Sequence, residues 1–85
     1  MCRSIQTLRG VEPPPTEGEV AAAALQYVRK VSGFRAPSKA NTEAFERAVA
    51  EITAASERLL AALGTETVPG AAPPRPRVTR PYVPR

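Results

Sequence analysis

The sequence predicts an all-α module: an antiparallel two-helix hairpin with a short N-terminal segment packed on it and a disordered Pro/Arg-rich C-terminal tail. Three observations predict it. A capping sequence at Thr16–Glu19 opens an apolar stretch of helical period, and a second apolar stripe runs from Phe45 to Leu63. Six of the ten prolines then lie in residues 65–85. The expected boundaries are a helical domain over residues 1–66 and a basic proline-rich tail over residues 67–85.

At the N-terminus, Ile5, Leu8 and Val11 fall three apart. That spacing suits one or two turns of helix lying on the body, with an extended path as the alternative. Pro13-Pro14-Pro15 follow as a stiff connection, because each ring fixes φ and removes an amide donor.

The first helix starts at a capping box. The Thr16 hydroxyl is placed to accept from the amide of Glu19, and the Glu19 carboxylate to accept from the amide of Thr16. Gly18 in the first turn costs about 1 kcal/mol against alanine. Val20, Ala24, Tyr27, Val28 and Val31 form the apolar face, widened by Leu25. Arg29 and Lys30 suit the negative end of the helix dipole. Gly33 stops the helix, with Phe34 expected to fold back on Val28 in a Schellman motif.

After the Arg35-Ala36-Pro37 turn, Ser38 is the expected cap of a second helix running from about Lys39 to Leu63. Its apolar positions, Phe45, Val49, Ile52, Ser56, Leu59 and Leu63, alternate steps of four and three. This is a heptad-like seam interrupted by one serine. Glu43–Arg47 and Arg47–Glu51 are i,i+4 pairs on the outer side, and Gly64 ends the helix. From Thr65 on, too few apolar residues remain to offset the entropy of ordering the chain.

Size and charge narrow the functional classes. Eighty-five residues give at most one small core, and chains of this kind usually need a disulfide, a metal or a partner to be stable. One cysteine cannot close an internal bridge, and a chain without histidine lacks the usual zinc ligands, so no cofactor or metal is expected. A homodimer or a protein partner is the remaining support, contacted through a seam of Phe45, Val49, Ile52, Leu59 and Leu63. The net charge of +4 resides wholly in the tail, since residues 1–66 hold eight cations and eight acids. RNA is therefore a possible partner of the tail. No apolar run is long enough to span a membrane, and Met1–Ile5 is not followed by a signal-peptide core, so a cytoplasmic chain is expected.

Few residues could carry chemistry. Cys2 beside Arg3 is a candidate reactive thiol, the more so if removal of Met1 leaves thiol and amine on one residue. With no histidine as base, no phosphate loop and all eight acids scattered glutamates, enzymatic activity and a small-molecule substrate are not expected. Arg29, Lys30, Arg35 and Lys39 surround the hairpin turn near Tyr27 and Phe34. Together with Arg75, Arg77 and Arg80 of the tail they form a candidate nucleic-acid contact. Pro81-Tyr82-Val83-Pro84 matches a P-x-x-P pattern.

Several ordered blocks resemble one family. Met1-Cys2-Arg3-Ser4-Ile5-Gln6-Thr7-Leu8, Glu12-Pro13-Pro14 and Thr16-x-x-Glu19 are similar to the opening of a small bacterial family catalogued as domain of unknown function 2277. Ala22–Phe34, Pro37–Asn41, Ala44-Phe45 and Ala48-Val49 continue the likeness. It covers residues 1–63 and leaves the tail outside; members usually carry asparagine and lysine at the positions of Ser4 and Gln6. The resemblance implies no activity, cofactor or site.

Overall fold

A computed structural model of the chain describes residues 5–73. Two helices pack on each other, α1 (Glu17–Ser32) and α2 (Thr42–Ala62), the second preceded by one short turn of 3-10 helix over Lys39–Asn41. The fold is the all-helical hairpin expected. No strand forms among the described residues, although Thr16 and Val68 make one isolated parallel bridge.

The start of α1 follows the sequence signal. Thr16 Oγ1 accepts from the Glu19 amide at 3.1 Å, and Glu19 Oε1 accepts from the Thr16 amide at 2.9 Å, closing the capping box. The amides of Glu17 and Gly18, which no side chain of the box reaches, donate to the carbonyls of Val68 and Gly70, both at 2.9 Å. The first turn of a helix leaves four amides without helical partners, and here the returning chain supplies part of what they need. Val68 in turn donates its amide to the Pro15 carbonyl at 2.9 Å, and the Thr16 hydroxyl donates to the Ala71 carbonyl at 3.3 Å.

Residues 67–73, which composition assigns to the tail, are thus held on the first turn of α1. Hydrophobic burial does not decide their position; backbone hydrogen bonds to the helix end do. Gly18 is part of the same contact. A Cβ on it would meet the Ala72 amide nitrogen and stand 2.7 Å from Ala71 Cα, so the two backbones touch only because this residue has no side chain.

Both helices end at glycines in the left-handed region, Gly33 at φ 78° and Gly64 at φ 83°. The Schellman motif expected at Gly33 forms instead at Gly64. There the Thr65 amide donates to the Leu60 carbonyl at 2.8 Å and the Gly64 amide to the Ala61 carbonyl at 3.0 Å. At Gly33 a single bond to the Arg29 carbonyl closes the turn, while the Phe34 amide donates to Ser32 Oγ. The Ser38 cap does not form either: its hydroxyl accepts from Asn41 Nδ2 at 3.0 Å, and α2 has no side-chain cap.

The core sits at the end of the hairpin away from the turn. Leu8, Val20 and Leu60 form its buried cluster, continued along α1 by Ala24 and Val28. Residues 5–11 contain no helix; they run irregularly across this end and place Leu8 inside, while Ile5 stays largely outside. Burying Leu8 alone does not need helical periodicity. Pro15 is fully buried beside them.

Along the heptad-like seam, Phe45, Val49, Ile52 and Ser56 are half-buried. Leu59 is 59% exposed and Leu63 53% exposed, whereas Leu60, placed beside the seam by its spacing, is buried. Burial on α2 runs from Phe45 through Val49, Ile52 and Ser56 to Leu60, and on α1 along Val20, Ala24 and Val28. The hydroxyls of Thr53 and Ser56 donate to the carbonyls of Val49 and Ile52, each at 2.7 Å, so half-buried polar groups are satisfied within α2 itself. Of the two expected i,i+4 pairs, Glu43–Arg47 forms at 3.0 Å on an exposed face.

Candidate functional site

Near the turn, the two helices leave an open groove of about 400 Å³ between the last turns of α1 and the first turns of α2. Val28, Val31 and Phe34 line one wall, and Ala44, Phe45, Ala48 and Ile52 line the other, with Tyr27 at the rim. Its origin is steric. Where α1 presents Tyr27 and Val31, α2 answers with the methyl groups of Ala44 and Ala48, too small to fill the space between backbones. Tyr27 is therefore 51% exposed and Val31 69% exposed, although both belong to the apolar face of α1.

The predicted interaction seam divides here. Phe45 and Ile52 line the groove, and Val49 is half-buried beside it. Leu59 and Leu63 lie more than one helical turn farther along α2 and do not contribute to its walls. Tyr27, Val31 and Phe34 complete the site from α1 and the turn. The alternation of Tyr27-Val31 on one helix with Ala44-Ala48 on the other was the signal in the sequence that could have located it.

The turn cations gather next to this groove. Arg29, Lys30 and Arg35 line a shallow depression together with Gln26, Gly33 and Phe34. Phe34 belongs to both the depression and the groove, so the charged and apolar surfaces are continuous. Lys39 opens the 3-10 turn, outside the depression. All four cations are exposed. Cys2 and Arg3, the candidate thiol pair, and Arg75, Arg77 and Arg80, the tail portion of the nucleic-acid set, lie outside the described residues.

At the opposite end a second cleft, of about 550 Å³, lies between the Gly10–Pro15 stretch and the end of α2, with Glu12 and Glu66 at its edges. Its walls are mixed in polarity. Glu19, although buried, faces inward to cap its own helix. Among the described residues no group of three or more His, Cys, Asp or Glu side chains converges as a metal site would require, and no helix is long and apolar enough to cross a membrane.

A family model described as an uncharacterized conserved protein (DUF2277) matches residues 1–81. The match runs well past residue 63, so the returning segment and most of the stretch beyond it fall within the family pattern rather than outside it. Neither a curated protein nor a solved structure matches the chain.

Proposed function

The chain belongs to the DUF2277 family of uncharacterized conserved proteins, and we propose that it is a non-enzymatic interaction module whose turn-end groove takes an apolar element of a partner. The groove supports this: Tyr27 and Val31 are more than half exposed beside a cavity whose walls are almost wholly apolar. A short chain gains stability by covering such a surface with another chain, whether a partner helix or a second copy. The pattern is that of helix-in-groove recognition, in which a few apolar anchors enter a cleft between two helices.

The test places a photo-crosslinking amino acid at Val31, and separately at Ala54 on the exposed side of α2. A discrete covalent adduct formed from Val31 and absent from Ala54 is the expected result, with an adduct of twice the chain mass identifying self-association. Equal, diffuse labelling from both positions would remove the docking role. A nucleic-acid role is the second reading, supported by the depression in which Arg29, Lys30 and Arg35 surround Phe34. RNA affinity in that case falls steeply with salt, because released counterions drive binding.

A further inference from the structure

We propose that the occupant of the groove is an acidic amphipathic helix from a different protein, its apolar side chains in the groove and its carboxylates on the turn cations. The proposal rests on the docking role above and adds the partner's chemistry. Charge distribution argues it. Residues 20–48, which span most of both walls, contain five cations, Arg29, Lys30, Arg35, Lys39 and Arg47, against two acids, Glu43 and Glu46. Glu43 has its carboxylate engaged by Arg47 at 3.0 Å. The wall of the groove and this positive cluster share Phe34, so one bound segment reaches both.

The other occupants fit less well. Residues 74–85 carry four arginines and no acid, so the chain's own C-terminal stretch brings like charge to a positive rim. A second copy has the same cation-rich turn beside its groove, so there it offers Arg29, Lys30 and Arg35 like charge rather than carboxylates. Nucleic acid satisfies the cations but offers no aliphatic anchor for Val31, Ala48 and Ile52.

Binding of fluorescent peptides of about 16 residues to the full-length protein, read by anisotropy, tests the assignment. One peptide places leucines at i, i+3, i+4 and i+7 with glutamates on the remaining face. The second replaces each glutamate by lysine, and the third scrambles the first at constant charge, which accounts for non-specific attraction to the C-terminal arginines. The acidic amphipathic peptide is expected to bind about tenfold more tightly than either control, a few exposed charge pairs being enough for that ratio. The triple change Arg29→Glu, Lys30→Glu and Arg35→Glu should abolish its advantage over the lysine peptide. The pair Tyr27→Ser and Val31→Ser should abolish its advantage over the scramble.

Equal or tighter binding of the lysine peptide overturns the acidic assignment and leaves the docking role standing. An acidic peptide no better than its scramble overturns both. A single-stranded RNA that binds more tightly than any peptide, with affinity indifferent to Tyr27→Ser and Val31→Ser, assigns the cations to nucleic acid and overturns the proposal.

Discussion

The two ends of the hairpin are made from similar material and finish differently. At the end away from the turn, α1 and α2 are joined by two further pieces of chain: the N-terminal segment brings Leu8 onto Val20 and Leu60, and residues 66–72 bring carbonyls to the amides of Glu17 and Gly18. At the turn end, among the described residues, the same two helices have only the connecting loop, and Tyr27 and Val31 stay exposed beside small alanines. Two helices alone do not enclose a core; the third and fourth layers decide which end is shut. The shut end is where stability concentrates, and the open end is where a partner finds surface.

If that contrast holds, substitutions should separate the ends in order of size. The largest effect is expected for Leu60→Ala, a loss of about 3 kcal/mol for a leucine truncated in a core. Its neighbour Leu59→Ala, exposed on the same helix, should lose less than about 1 kcal/mol. Urea unfolding followed by circular dichroism compares them, and equal losses would erase the boundary between core and surface on α2.

Gly18→Ala comes next, and its sign is diagnostic. In a free helix the change gains about 1 kcal/mol. Here the new methyl meets the backbone of Ala71 and Ala72, so we expect a net loss of about 1 kcal/mol from overpacking. Faster hydrogen exchange at the Glu17 and Gly18 amides should accompany it. A stabilised variant with unchanged exchange would mean that the returning segment is not held there.

The smallest contrast concerns caps. Thr16→Ala should lose about 1 kcal/mol, because its hydroxyl both accepts from Glu19 and donates to Ala71. Ser38→Ala should change stability by less than about 0.5 kcal/mol, since its hydroxyl caps no helix amide. Thermal melts of the two variants settle this, and a Ser38 loss as large as that of Thr16 would contradict the geometry of the turn.

Legibility in the sequence followed the range of the interactions. The capping box, the stops at Gly33 and Gly64 and the Glu43–Arg47 pair each involve residues within a few positions of one another, and each formed. The choice between Leu59 and Leu60 is not local. The two lie about 100° apart around the axis of α2, and the packing of Leu8 and Val20 selects the inner one. The groove is half-readable: Tyr27, Val28, Val31, Phe45 and Ile52 belong to apolar faces visible in the sequence, but which of them stay open depends on the small residues Ala44 and Ala48 beside them.

By itself the sequence determined where α1 begins and where both helices stop, because the capping box and the glycine stops are hydrogen-bonded between near neighbours. The start of α2 at Thr42, without the Ser38 cap, was not fixed that way. Tertiary structure alone decided the path of residues 66–73, which offer almost nothing to bury. Orphan amides on the first turn of α1 can donate to a carbonyl from anywhere in the chain, and only the folded arrangement brings those of Val68 and Gly70 to them.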